Sequence, residues 1–268
     1  MATLLQNLLD RYNDLPDSYG DPRVTNWTLM RNPRSLVVIL LIYLYFVLKF
    51  GPSYMKKRKP YSLKTIIQIY NIVQIVCSAV LFYGILTSGW TTRLSLGCEP
   101  VEISYDPESM RMVSLMWWTV IVKFIELIET VIFVLRKKHN QVSFLHLYHH
   151  VSTVILAWLG AKFMPGGMAS FPVMINFLVH VFMYTYYFLT SLGLKWQKRT
   201  ARFKKYITVI QLTQFIIMAV HALQAFHPKC NVHASMYYGH IPNIFIVYYL
   251  FYNFYKKSYT SNHIKIEK

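Results

Sequence analysis

Ser35-Leu-Val-Val-Ile-Leu-Leu-Ile-Tyr-Leu-Tyr-Phe-Val-Leu-Lys-Phe50 runs into Gly51-Pro52 and then into Lys56-Lys57-Arg58-Lys59. A long apolar run, broken by Gly-Pro and followed by a block of cations, has the pattern of a membrane span with its basic flank. The stretch from Ile241 to Phe254 repeats it, with Lys256 and Lys257 behind it. Working outward, apolar runs over 33–51, 66–88, 112–135, 144–164, 168–191, 207–226 and 238–255 give seven expected spans in a chain of 268 residues. Charged residues make up only 15% of the chain and hydrophobic ones 54%, against roughly 25% charged in a soluble domain. An ordinary soluble enzyme and a disordered chain are both excluded. The expected fold is an all-α integral membrane protein of seven transmembrane helices: a lumenal segment 1–32, a membrane domain 33–255 and a cytosolic tail 256–268.

The net charge of +17 invites a nucleic-acid partner until the charges are located. Cations cluster at 56–64, 136–138, 195–205 and 256–268, after the first, third, fifth and last runs, whereas Asp10, Asp14, Asp17, Asp21, Glu99, Glu102, Asp106 and Glu108 gather in the other loops. Alternate loops of opposite charge are a positive-inside signature, which places the N-terminus in the lumen and the C-terminus in the cytosol and points to membrane lipids, not nucleic acid. The segment before Arg34 has no apolar core suited to a cleavable signal peptide, so the first span is expected to do the targeting. Pro165-Gly166-Gly167 predicts a tight hairpin of the fourth and fifth spans. Cys98 and Cys230 fall in non-cytosolic loops, where a disulfide is permitted, and are expected to pair; two free thiols are the alternative. Cys77 lies within a span.

Ionisable groups inside spans are costly and mark function. Lys123, Glu126, Glu129 and Thr130 share one face of the third span, by 100° per residue; a Lys123–Glu126 pair that merely neutralises itself is the bland reading. His146-Leu-Tyr-His149-His150 puts three imidazoles on one side of the fourth span near its basic end, as metal ligands, base or nucleophile. The fifth span carries Asn176, His180, Tyr184 and Tyr187 in a stripe, and the sixth Thr208, Gln211 and Gln214. Four polar stripes imply a lined interior cavity. His139, His227, His233, His240 and His263 read as surface residues.

Lys123-Phe-Ile-Glu126-Leu-Ile-Glu129-Thr130, the His146 box, Asn176 through Met183-Tyr184-Thr185-Tyr186-Tyr187, and Thr208-x-x-Gln211-x-x-Gln214 resemble, in order and spacing, the motifs of the very-long-chain fatty acid elongases, the membrane 3-ketoacyl-CoA synthases of the endoplasmic reticulum. The likeness spans about 25–260. It departs at Glu129, where the family usually has aspartate, and at the tail Lys265-Ile-Glu-Lys268, an incomplete retrieval signal for that compartment.

The resemblance implies six helices enclosing a narrow acyl tunnel open to the cytosol, and an acyltransferase that condenses a long-chain acyl-CoA with malonyl-CoA. These are substrates; no cofactor and no metal are implied. Expected partners are the ketoacyl reductase, dehydratase and enoyl reductase of the elongation cycle, with a homodimer left open. Cysteine is disfavoured as nucleophile because Cys77 has no motif and the other two lie on the wrong side. His149 is therefore expected to accept the acyl chain, in a catalytic group with His146, His150, His180, Glu126 and Glu129. Lys123, Arg136, Lys138, Gln141, Lys204, Thr208 and Lys257 are expected at the CoA moiety, Asn176, Tyr184 and Tyr187 as donors to carbonyl or carboxylate oxygens, and Gln211 among the substrate-binding residues. Basic juxtamembrane residues also arise simply as topology or lipid contacts. A di-iron desaturase would need more histidine boxes, and a seven-helix receptor or channel would leave the polar stripes unexplained.

Overall fold

A computed structural model describes residues 20–260, which are helical with no strand among them. The acidic residues before Gly20 and the tail signal after Thr260 lie outside the described residues. The long helices are α1 (Arg34–Met55), α2 (Lys64–Ile85, extended by a π-turn to Trp90), α3 (Pro107–Leu135), α4 (Phe144–Phe163), α5 (Ser170–Ser191), α7 (Phe203–Ala222) and α8 (Ile241–Tyr255). A short α6 (Leu194–Thr200) lies between α5 and α7. By length and composition, four stretches suffice to cross a membrane: Arg34–Met55, Lys64–Trp90, Gly167–Ser191 and Phe203–Phe226. The chain is a multi-pass membrane protein. Helices α3 and α4 carry more charged and histidine residues than those four, and α8 is shorter, at 15 residues.

Six helices close a ring in the order α2, α3, α4, α8, α7, α5 and back to α2. The hairpin expected of α4 and α5 is not a packed pair. Their connection is short, but α4 packs on α3 and α8, and α5 on α2 and α7. The polar faces of α3, α4 and α5 are turned to the ring's interior, which holds the two helices of the hairpin apart. The remaining helix, α1, lies outside the ring against α3. Its Gly51 is required there, because a Cβ would sit 2.7 Å from Val134 Cγ1.

The two ends of the bundle differ. At one end are the cationic segments, including Leu194–Thr200 with Arg199 over Trp196. At the other, Cys98 and Cys230 are joined, as expected, with Cα atoms 5.8 Å apart. That bond ties the α2–α3 loop to the α7–α8 loop. Gly167, at φ +50°, lies under the Glu99 carbonyl where any Cβ would collide, and Met168 N–H donates to the same carbonyl at 2.7 Å. Asp106 caps α3 by accepting from the N–H groups of Glu108 and Ser109, satisfying two orphan donors of that helix. The segment 20–33 folds over the same end. Asp21 and Arg23 pair in a buried salt bridge, Trp117 donates to the Thr28 carbonyl, and Trp158 donates to that of Leu29. The disulfide spans 132 residues, so removing it with Cys98→Ser is expected to cost about 2–5 kcal/mol. Thermal unfolding in detergent, with and without reductant, checks this: reductant should lower the wild-type transition and leave the variant's unchanged.

Candidate active site

Inside the ring, Lys123 on α3 is 5% exposed and Glu126 is 1% exposed. The Lys123 Nζ donates to both Glu126 carboxylate oxygens, at 2.8 and 3.0 Å, and to Asn176 Oδ1 on α5 at 3.0 Å. His180 Nδ1 lies 3.2 Å from the same Oε1, misaligned for a hydrogen bond. The three-residue spacing of Lys123 and Glu126 along α3 makes the pair possible, and Asn176 and His180, four apart on α5, meet it from across the interior. The self-neutralising pair is therefore real but not isolated, since it joins α3 to α5.

One turn closer to the basic end, Glu129 Oε2 lies 3.7 Å from His150 Nε2. The rings of His146 and His150 are 4.3 Å apart, and those of His149 and His150 are 5.7 Å apart and perpendicular. The Ser143 hydroxyl caps α4 by accepting from His146 N–H, so the box occupies the first turns of a well-started helix. Glu129, His146 and His150 bring ligand atoms within 4.8 Å of one another, the one such trio found among the described residues that could hold a metal ion.

A residue with no distinguishing pattern around it in the chain completes this corner. Tyr43, on the outlying α1, donates to Thr130 Oγ1 at 2.8 Å, and Thr130 Oγ1 is 2.8 Å from His146 Nε2. With Tyr43 donating, the Thr130 hydrogen is free for His146 Nε2, which favours the tautomer with its proton on Nδ1. Tyr43→Phe keeps the ring and deletes the outer donor. It is expected to cost about 1 kcal/mol of stability and to lower kcat more than KM, which steady-state kinetics with a thermal scan will show.

Two cavities meet at this cluster. The larger, about 1110 Å³, opens among the basic segments; Glu126, Glu129, Arg136, Lys138, Gln141, His146, His149, His150, His180, Tyr184, Tyr187, Lys204, Thr208 and Gln211 all line it. The smaller, about 100 Å³, continues toward the disulfide end between α4, α5, α7 and α8, with Lys123 and Asn176 on its wall. Among the described residues, His149 is the one ionisable side chain that lines both. Lys257 is not among the lining residues, and Lys123 lies in its ion pair deep in the bundle instead of at the mouth. The expectation that His240 lies on the surface fails, because it lines the smaller cavity and its Nε2 is buried. The break in hydrophobicity around it marks a helix start inside the bundle, not an exposed loop.

Helix α2 adds a further polar face. Tyr70, Asn71, Gln74 and Ser78 are buried, and Tyr70 rests edge-on against Tyr184 with centroids 6.0 Å apart. Asn71, Gln74 and Ser78 recur at three and four in an otherwise apolar run, the same signal that exposed α3 and α5.

Residues 28–266 match the ELO: GNS1/SUR4 family. The chain belongs to that family. It is similar to "Very long chain fatty acid elongase 7" of Drosophila melanogaster, 41% identical over 251 residues, covering 93% of this chain and 76% of that one. "Very long chain fatty acid elongase 1" of Mus musculus is 41% identical, with coverage of 96% and 92%. Its Homo sapiens counterpart is 42% identical, with coverage of 90% and 87%. The ELO match takes in every helix from α1 to α8, and so every cavity-lining residue named above.

Proposed function

We propose that the chain is a fatty acid elongation enzyme of the endoplasmic reticulum membrane that condenses a long-chain acyl-CoA with malonyl-CoA, giving a 3-ketoacyl-CoA two carbons longer, CO2 and CoA. The observation that carries this reading is the position of His149, at the junction of a wide cavity with a basic rim and a slender one with mostly apolar walls. A thioester held there would have its CoA in the first and its hydrocarbon tail in the second. In this reading all seven long helices are spans, the disulfide end is lumenal and oxidising, and the basic end is cytosolic.

The chemistry runs in two stages. A ring nitrogen of neutral His149 attacks the thioester carbonyl, the C–S bond breaks, and CoA leaves as the thiol with the proton that the imidazole gives up. Malonyl-CoA then enters the wide cavity and loses CO2, and the electron pair of the broken C–C bond forms an enolate. That carbon attacks the acyl carbonyl, the C–N bond breaks, and the imidazole regains a proton from solvent. The nearby carboxylates and imidazoles hold the geometry: Glu126 faces His180, Glu129 faces His150, and Thr130 holds His146. The Asn176 amide nitrogen and the Tyr184 and Tyr187 hydroxyls are the donors for developing oxyanions. Arg136, Lys138 and Lys204 attract the CoA phosphates, with Gln141, Thr208 and Gln211 beside them. A ketoacyl reductase, a dehydratase and an enoyl reductase must act on the product before another round.

The test uses purified protein, a long-chain acyl-CoA and labelled malonyl-CoA. Label is expected in a 3-ketoacyl-CoA, and mass spectrometry of protein quenched before malonyl-CoA is added should find the acyl group on His149. Turnover with no adduct at any delay would replace the two-stage route by direct attack on acyl-CoA, and absence of turnover would end the proposal.

A further inference from the structure

Two helix faces cross from the wide cavity into the slender one. On α4, His146 lines the wide cavity, Thr153 the slender one, and His149 between them lines both. On α7, Gln211, Phe215 and Met218 recur at four and three, which keeps them on one face. Gln211 lines the wide cavity, Met218 the slender one, and Phe215 both. Among the described residues, no side chain besides His149 and Phe215 is shared by the two cavities, so these two frame the passage between them. A third ring closes one side of it. Phe251 on α8 lies 5.8 Å from the His149 ring and 5.2 Å from the Phe215 ring, centroid to centroid. Phe215 is buried, in one apolar cluster with Met218, Ile244 and Val247.

The passage and the cavity beyond it are built of different materials. A planar ring packed among its neighbours cannot make itself smaller, and added volume in such a place forces strain. Past the passage the walls include Met116, Met164 and Met218, whose unbranched thioethers adapt to irregular shapes, and Ala157 and Gly160, which hardly project. The acyl carbon of a thioester at His149 puts carbon 3 of the tail only two bonds farther on, still between His149 and Phe215. A straight chain brings a bare methylene there, whereas a methyl branch at carbon 3 meets rings that do not yield. We propose that Phe215 determines specificity at this part of the tail: the enzyme extends acyl-CoAs that are unbranched at carbon 3, refuses 3-methyl-branched ones, and tolerates a methyl group well beyond the passage. This rests on the elongation reading and adds the class of tail that it takes.

The experiment compares three acyl-CoAs of one main-chain length with labelled malonyl-CoA and purified full-length protein: straight, 3-methyl-branched, and methyl-branched at mid-chain. The wild type is expected to extend the straight and mid-chain-branched tails and to discriminate against the 3-methyl one. Phe215→Leu, which stays apolar and replaces the ring by a smaller side chain, should lower the ratio of kcat/KM, straight over 3-methyl, by roughly tenfold or more, the scale on which a hydrophobic pocket senses one carbon. If Phe215→Leu extends no chain, Phe251→Leu opens the same passage from α8 and should move the ratio in the same direction. Equal extension of straight and 3-methyl chains by the wild type overturns this inference and leaves the elongation reading intact. Refusal of both branched chains also overturns it, since the whole route and not the passage then selects. So does a ratio unchanged in the variant that turns over. Failure of the wild type to extend even the straight chain removes both readings.

Discussion

His149→Ala is expected to lower condensation by a factor on the order of 10³ or more, the scale seen when a nucleophile is deleted from a group that acts as a unit. The acyl adduct should vanish with the activity. Stability should change little by comparison, because the ring's neighbours are His150 and Phe251 at 5.7 and 5.8 Å and no salt bridge is lost. Labelled malonyl-CoA turnover and the quenched-protein mass spectrum, taken on the same preparation as a thermal scan, separate a lost nucleophile from a lost fold. Substantial residual turnover by a folded His149→Ala would move the chemistry to another imidazole of the box.

The second large effect is expected at Lys123. Lys123→Met leaves the Glu126 carboxylate buried without its cation, and breaking a buried pair in this way costs about 3–5 kcal/mol. The loss propagates across the interior because the same ammonium holds Asn176. Lys123→Met combined with Glu126→Gln removes both charges and should recover much of the stability, since the main cost is the unpaired charge and not the missing attraction. Activity should not return with it, because Glu126 also faces His180. Thermal unfolding of the two single variants and the double, with turnover measured in parallel, decides the point. A double variant no more stable than Lys123→Met would show that the pair is not what holds α3 to α5.

What was legible in the sequence follows from periodicity. Helix α3 was readable because Lys123, Glu126 and Thr130 fall on one face of a 3.6-residue helix in an otherwise apolar run, and the structure turns that face inward. The same holds for His146 to His150 and for the stripe from Asn176 to Tyr187. The cysteine pairing was readable from the sign of the loop charges. Contacts between elements were not. Tyr43 is an ordinary tyrosine in an apolar span, and only the crossing of α1 over α3 brings it to Thr130. His240 lies where hydropathy falls, and a one-dimensional pattern cannot tell a polar loop from a polar cavity wall. Nor could it show that α4 and α5, joined by a few residues, would spend their faces on other neighbours.

The disulfide also gives the bundle two unlike ends. Near Cys98 and Cys230 the loops are riveted together, with 20–33 folded across them. Around the basic rim no covalent strap joins the described helices, and neighbours there are held by contacts such as Thr208 to Tyr259 at 3.4 Å. Whatever breathing admits a nucleotide-bearing thioester and later lets it go must therefore hinge on the sealed base and widen upward, like a basket opening at the lip.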